Sequence, residues 1–278
     1  MLMSEKHGLD EHAYDEFDST MRKRPRVCDL PGGIPVNWWL YLTRQYQDGL
    51  AGREAGFDFH VLSQFQFDGA SPRQWYTRVK PWSGITLDDN TGRNVTEIVL
   101  TLSQLKTIPE SIKKLNSLTY LEMGHNYLVQ LPNSIGDLHS LTQLYIENNC
   151  LIYLPDSIGD LCKLIVLNIS NNRLQQIPES IGNLTSLEIL ELQHNCLIYL
   201  PDSIGDLYKL IVLNISNNFL TTLPESINKL KSLECLYGEN NMLLQLPESI
   251  IDLCHSLGVI HLENNQNVYL SDSKINFY

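Results

Sequence analysis

Residues 118–140 read LTYLEMGHNYLVQLPNSIGDLHS, residues 141–163 read LTQLYIENNCLIYLPDSIGDLCK, and residues 164–186 read LIVLNISNNRLQQIPESIGNLTS. The three stretches share the pattern L-x-x-L-x-L-x-x-N-x-L-x-x-[LI]-P-x-S-I-x-x-L. Units of this kind, numbered here as repeats 1 to 8, begin at Val95, Leu118, Leu141, Leu164, Leu187, Leu210, Leu233 and Leu257. A fixed period of about 23 residues indicates a solenoid in which each repeat is one supersecondary unit.

The apolar positions of each repeat predict how it folds. Positions 4 and 6 alternate as in a β-strand and point to one side, while positions 1, 11, 14, 18 and 21 return to the same interior. A single repeat buries too little apolar surface to offset the conformational entropy lost on ordering its backbone. We therefore expect the repeats to stack, with one strand from each joined in a parallel ladder.

Three further residue types recur at fixed positions, and we interpret all of them as framework. Asn at position 9 is expected to hydrogen-bond the backbone where the chain leaves each strand. Pro at position 15 suits the first residues of a short helical turn. Ser at position 17 is expected to cap that turn locally.

This pattern resembles the intracellular leucine-rich repeats with an L-P-x-x-I-G-x-L core, found in Ras-pathway scaffold and suppressor proteins and in plant and bacterial relatives. The resemblance covers about two thirds of the chain. It implies an α/β solenoid, a horseshoe of about eight repeats with a parallel sheet on its concave side. It implies little about function, because the matching residues are the framework.

An internal duplication indicates how the array grew. Residues 149–172 recur at 195–218 with one difference, Cys162 against Tyr208. The copies lie 46 residues apart, so a two-repeat unit has been copied.

Composition excludes several classes of protein. No run of apolar residues is long enough to cross a membrane, and the charged first residues do not fit a signal peptide. The six cysteines show no paired spacing, which favours a reducing compartment, and we predict a cytoplasmic protein without cofactor or metal. The net charge is −12, and residues 95–278 hold 19 acids and 9 bases. Nucleic-acid binding requires the opposite sign.

The first third of the chain divides by composition. Residues 1–30 are polar and are predicted to be a disordered tail; their basic run at 21–26 is either a nuclear-import signal or a solvated segment. Residues 31–94 are rich in aromatic side chains and are predicted to cap the solenoid, or else to form a small separate functional module. Residues 82–98 resemble the W-x-G-[VI]-x-x-D-x-x-G-R-V-T-x-L cap of plant and bacterial repeat proteins. Residues 95–278 then form the repeat domain.

The concave face is the predicted binding surface. Positions 2, 3, 5, 7 and 8 of the repeats are expected to face it, and there they carry eight glutamates but neither Lys nor Arg. Position 3 is expected to expose an apolar row, although β-branched residues also favour strands without any binding role. The predicted partner-binding residues are Tyr120, Glu122, Tyr145, Glu147, Val166, Asn168, Ile189, Glu191, Val212, Asn214, Cys235, Tyr237, Glu239 and His261.

These features favour a non-enzymatic protein-interaction module, acting as a scaffold or as a stoichiometric inhibitor, and possibly a pathogen effector. The expected partner is a protein with a basic rim around an apolar or aromatic projection. A peptide or small-ligand sensor is the alternative, and an enzyme is a remote one. His125, His194, His261 and Cys235 are the only nucleophile or base candidates on this face, and they lie too far apart for concerted chemistry.

Overall fold

A computed structural model describes residues 66–67, 85–87, 94–250 and 258–265. All of them belong to one compact unit, residues 46–278. The predicted tail at 1–30, most of the predicted cap at 31–94 and the chain beyond residue 265 lie outside the described residues. These parts of the domain assignment stay predictions.

Each repeat contributes one short strand to a single sheet. These repeat strands are β3 (Val95–Val99), β5 (Tyr120–Glu122), β6 (Gln143–Tyr145), β7 (Val166–Asn168), β8 (Ile189–Glu191), β9 (Val212–Asn214), β10 (Cys235–Tyr237) and β11 (Val259–His261). Three further strands are β1 (Gln66–Phe67), β2 (Ile85–Leu87) and β4 (Leu105–Thr107). The sheet order is β11-β10-β9-β8-β7-β6-β5-β3-β2. Its first eight members are parallel neighbours, which confirms the predicted open solenoid.

Two strands outside the repeats pair with repeat 1. Strand β2 pairs antiparallel with β3 at the edge of the main sheet. Strand β1 pairs antiparallel with β4, which follows the first turn of the repeat. Both pairings supply hydrogen-bond partners to backbone N–H and C=O groups that would otherwise be unpaired at the edge of the first repeat.

Short 3-10 helices form the opposite side of the repeats. They span Glu110–Lys114, Asn133–Asp137, Asp156–Asp160, Glu179–Asn183, Asp202–Asp206 and Glu225–Lys229. Each follows the position-15 proline, whose backbone is extended, as Pro155 shows with φ −68° and ψ 149°. The leucines and isoleucines at positions 1, 4, 11, 14, 18 and 21 fill one continuous core between sheet and helices.

The position-9 asparagines join successive repeats. In repeat 4, Asn172 Oδ1 accepts a hydrogen bond from the Leu151 N–H at 2.9 Å. Its Nδ2 donates to the carbonyls of Ile146, Ile169 and Ser170 at 3.0–3.1 Å. Because the same bonds recur from repeat 2 onward, the predicted asparagine ladder is confirmed.

The position-17 serines do not cap the helical turns, so that prediction was wrong. The buried Ser157 and Ser180 hydroxyls lack a hydrogen-bond partner among the described residues. Where the first turn of a 3-10 helix is bonded by a side chain, that side chain is a glutamate of the preceding repeat: Glu110 Oε2 accepts from the Ser134 N–H and Glu179 Oε2 from the Ser203 N–H, both at 3.2 Å. Neighbouring turns pack closely at this point. A Cβ added at Gly159 would lie 2.3 Å from the Ser180 carbonyl oxygen and 2.8 Å from its Cβ, so no room remains for a side chain at position 19.

Position 8 has a backbone conformation that the sequence pattern did not reveal. His125, Asn148, Asn171, His194, Asn217, Asn240 and Asn264 all have φ between 53° and 57°. Asparagine tolerates this left-handed region better than most residues, which explains its frequency at this position. The turn directs the chain out of the sheet after every strand.

Candidate partner-binding surface

The parallel register places twelve of the fourteen predicted residues in two columns across the sheet, and the other two, Glu147 and Glu239, follow at position 7. In the position-3 column, Tyr120 pairs with Gln143, which pairs with Val166, and the column continues through Ile189, Val212, Cys235 and Val259. The position-5 column runs through Glu122, Tyr145, Asn168, Glu191, Asn214, Tyr237 and His261. Neighbouring members are separated by the strand spacing, about 4.8 Å. The structure therefore brings the predicted residues onto one surface.

The end of this surface nearer to repeat 1 is a cluster of tyrosines and glutamates. The rings of Tyr120 and Tyr145 lie 5.5 Å apart at an interplanar angle of 40°, and the Tyr120 hydroxyl donates to the Glu122 carboxylate. The Glu147 carboxylate occupies the space over Gly124, where an added Cβ would meet its Oε1 at 2.3 Å. Glycine at this position of repeat 2 thus makes room for a carboxylate from repeat 3.

Burial and mutual repulsion shape the protonation of this cluster. Burial raises the pKa of the Glu147 carboxyl above 4.5, and the Glu122 charge acts in the same direction. Burial together with the charges of Glu122 and Glu147 raises the pKa of Tyr145 to about 12. The pKa of Tyr120 is raised by the same causes. These hydroxyls therefore remain hydrogen-bond donors at neutral pH beside half-buried carboxylates.

The middle of the surface is aliphatic, but less exposed than expected. Val166 is only 3% exposed, and Ile189, Val212 and Cys235 are half-buried. The expected exposed apolar row is therefore buried at Val166 and only partly exposed at the other three residues. The side chains of one column stand at strand spacing along the inner side of the sheet, so each is covered by its neighbours. Val166 nevertheless lies outside the main core.

Two asparagines hold this middle section in a fixed arrangement. Asn168 Oδ1 accepts hydrogen bonds from the Ser170 hydroxyl at 2.8 Å and from its N–H at 3.0 Å. Asn214 and Ser216 repeat the arrangement two repeats later. Glu191 lies between them and is 8% exposed.

The other end of the surface carries a second aromatic and acidic group. The rings of Tyr237 and His261 stack with centroids 5.5 Å apart and an interplanar angle of 6°. His261 Nδ1 lies 2.8 Å from Glu263 Oε1. Burial raises the pKa of Tyr237 to about 12. An aromatic and acidic group thus stands at either end of an aliphatic centre: Tyr120 bonded to Glu122 at one end, and Tyr237 stacked on the Glu263-bonded His261 at the other.

Within the ranges that the structure describes, no hydrogen bond joins the Cys235 thiol to His125, His194 or His261. Burial raises the pKa of the Cys235 thiol, which lowers its thiolate fraction and its nucleophilicity. His125 and His194 lie on the left-handed turns of repeats 2 and 5. Among the described residues, no group of three metal-binding side chains is close enough to hold an ion.

A second surface was not predicted from the sequence. Positions 10, 12 and 13 of repeats 2 to 7 form a flank beside the sheet, which we call the apolar flank. Its exposed side chains are Tyr127, Val129, Ile152, Tyr153, Ile198, Tyr199, Phe219, Met242 and Leu244. The signal was visible in the sequence, because apolar residues recur at these positions although the repeat pattern does not require them.

Comparison with known proteins agrees with this architecture. A family model described as a leucine-rich repeat region matches residues 98–196, and a second leucine-rich-repeat model matches residues 209–230. No curated protein sequence matches the chain. In the part of the chain that the structure describes, no helix has the length and apolarity required to span a membrane.

Solved structures share the fold. A Leptospira interrogans leucine-rich-repeat protein is 28% identical over 61% of this chain and 55% of its own, with a TM-score of 0.43. The ectodomain of the Arabidopsis thaliana receptor kinase GASSHO1/SCHENGEN3, in complex with CASPARIAN STRIP INTEGRITY FACTOR 2, is 24% identical over 77% of this chain, with a TM-score of 0.57. A TDR receptor is 31% identical over 59% of this chain, with a TM-score of 0.54.

The chain spans less than one third of either receptor structure, 30% and 29% respectively. The similarity therefore concerns the repeat architecture and not a whole protein. On its repeat pattern, its eight-stranded parallel ladder and these matches, the chain belongs to the leucine-rich-repeat superfamily.

Proposed function

We propose that this chain is a non-enzymatic interaction module that binds a protein partner through its concave face. The observation that carries the proposal is the order of side chains across the sheet. Tyr145 and Glu147 lie near one end, Tyr237 and Glu239 near the other, and Ile189 lies in the aliphatic centre. Proteins of this fold are typically interaction modules, and one neighbour is a receptor ectodomain in complex with another protein.

The dimensions of the face favour a folded partner over a metabolite. Eight strands at about 4.8 Å spacing give a tract of roughly 34 Å. Tyrosine is a frequent anchor in protein interfaces because it combines apolar area with a hydrogen-bonding hydroxyl. The Tyr145 hydroxyl donates to Gln143 Oε1 at 3.3 Å and the Tyr237 ring stacks on His261, so both rings are held in place and carry a neutral hydroxyl.

The charge of the face defines the chemistry of the partner. Eight glutamates without a lysine or arginine at the concave positions complement a basic rim, which would raise the association rate at low salt. Glu147 is held there although burial disfavours its charge. A basic side chain from the partner would relieve that penalty, and an apolar projection would meet Ile189 and Val212.

A charge-neutralising variant tests the electrostatic part without adding bulk to a partly buried face. We expect Glu122→Gln/Glu147→Gln/Glu191→Gln to lose the proteins that the wild-type chain captures at low salt. The matched control, Asp137→Asn/Asp156→Asn/Asp202→Asn, removes three exposed acids from the 3-10 helices and should capture the same proteins as the wild type. Identical capture by all three chains, at low and at high salt, would contradict the proposal.

The two modes of action, scaffold and stoichiometric inhibitor, differ in their effect on a captured enzyme. An inhibitor covers the partner's active site, so added chain lowers activity in a one-to-one ratio. A scaffold leaves that activity unchanged and joins the enzyme to a further protein. Titration of the captured enzyme with wild-type chain and with the triple Gln variant distinguishes the two modes. The test is the same whether the partner is a cytoplasmic protein of the same cell or a protein of a host cell.

A further inference from the structure

Most of the exposed large apolar side chains lie on the apolar flank and not on the concave face. Of the eleven large hydrophobic residues that are exposed in the described part of the chain, nine belong to the flank. The other two are Leu102, at concave position 8 of repeat 1, and Tyr208, at position 22 of repeat 5. Contiguous exposed apolar surface on a protein indicates an interaction site.

Hydrogen bonds join successive repeats along the flank and orient two of its tyrosines. A second backbone ladder joins the repeats here, since the Cys150 N–H donates to the Leu128 carbonyl at 2.8 Å and the Cys196 N–H donates to the Leu174 carbonyl at 2.9 Å. The exposed Tyr153 hydroxyl donates to Gln130 Oε1 of the preceding repeat at 2.8 Å. Tyr199 donates to Gln176 in the same way at 2.9 Å. Little conformational entropy is therefore lost when this surface is covered.

Charge restricts what can cover the flank. No acid occupies positions 10 to 13 in repeats 1 to 7, and Lys106 and Arg173 are the only bases there. The chain as a whole carries a net charge of −12, and the concave positions carry eight glutamates. On the opposite side, five of the six 3-10 helices begin with an acidic residue and three of the six end with one. Two copies of so acidic a chain repel each other across most faces, but not across this one.

The area and the arrangement of the flank both suit a second copy. Its nine apolar side chains are 42–60% exposed, and at about 80–100 Å² each they offer roughly 800 Å², the amount each partner contributes to a standard interface. The Ile152–Tyr153 pair in repeat 3 and the Ile198–Tyr199 pair in repeat 5 are equally distant from repeat 4. With a two-fold axis at repeat 4, the Ile152–Tyr153 pair of one copy would contact the Ile198–Tyr199 pair of the second copy, and the reverse contact would form as well.

We propose that two copies of this chain associate through their apolar flanks, which leaves both concave faces open for partners. The dimer is thus independent of the concave binding surface, and each can fail without the other. Sedimentation velocity over a concentration series tests the proposal. The weight-average mass of the wild type is expected to rise toward twice the chain mass as concentration increases.

Two double variants of equal charge locate the interface. Ile152→Asp/Ile198→Asp puts four carboxylates into the dimer and should raise the concentration needed for association more than about tenfold. Cys162→Asp/Tyr208→Asp changes exposed residues of the same two repeats on another face and should associate as the wild type does. Ile152→Ser/Ile198→Ser repeats the test without added charge.

Either of two results would overturn the proposal. One is a wild-type chain that stays monomeric up to about 100 μM, since a standard interface is expected to associate below that concentration. The other is an equal loss of association in the flank variants and in the control. Circular dichroism of each variant confirms that the repeats remain folded.

Discussion

Replacement of Asn172 by alanine tests the ladder that holds the repeats together. The Leu151 N–H would lose the Asn172 Oδ1 acceptor at 2.9 Å, and no other described residue accepts from it. A buried unsatisfied donor costs about 1–3 kcal/mol. The carbonyls of Ile146 and Ile169 would keep a donor, from Asn149 and Asn195 respectively, so the lost Nδ2 bonds add about 1 kcal/mol. We expect a total loss of about 2–4 kcal/mol.

Urea unfolding followed by circular dichroism measures this loss as a shift of the midpoint. The neighbouring Asn171→Gly variant is the control, because Asn171 is exposed and its φ of 53° suits glycine. It should change the free energy of unfolding by less than about 0.5 kcal/mol. If Asn172→Ala is no more destabilising than Asn171→Gly, the ladder does not stabilise the solenoid as argued.

Two further substitutions test individual side chains. Because burial raises the pKa of the Glu147 carboxyl, this carboxyl ionises at a lower pH in the unfolded chain than in the folded one. The folded state therefore loses stability as the pH rises past the unfolded-state pKa. Wild type should therefore become less stable relative to Glu147→Gln as the pH rises above the usual carboxyl pKa, as measured by urea unfolding at each pH; a constant difference would contradict the assigned burial. The buried Ser180 hydroxyl has no partner among the described residues, so Ser180→Ala should leave the free energy of unfolding unchanged or raise it by up to about 1 kcal/mol. The control, Ser232→Ala, removes a hydrogen bond to the Tyr208 carbonyl at 2.8 Å. A clear loss of unfolding free energy in Ser180→Ala would instead support a capping role for the Ser180 hydroxyl.

The fold was predictable because every repeat makes the same contacts with the next. Leu144 in one strand faces Leu167 in its neighbour, and both are fully buried, as the alternation of positions 4 and 6 predicts. The role of Asn172 followed from the need of a buried amide for hydrogen-bond partners. The role of Ser180 did not, because the space beside Gly159 depends on how closely two turns approach.

The candidate binding surface was predictable in its membership but not in its exposure. The register of β6 against β7 follows from the repeat length, so Tyr145 and Asn168 were correctly placed side by side. The exposure of Val166 was not predictable, because it depends on the neighbours that cover it from adjacent strands. The carboxylate of Glu147 over Gly124 likewise arises between two repeats.

The amino-acid sequence by itself determined the period, the parallel ladder and the asparagine bonds, since these follow from residue types repeated at fixed spacing. Only the tertiary structure decided which apolar side chains remain in contact with solvent. Side chains in one column of a closely spaced sheet cover one another, so Val166 is 3% exposed, whereas Ile198 on the flank is 52% exposed. Exposure depends on the distance and direction between neighbouring chain segments, and a linear pattern contains neither.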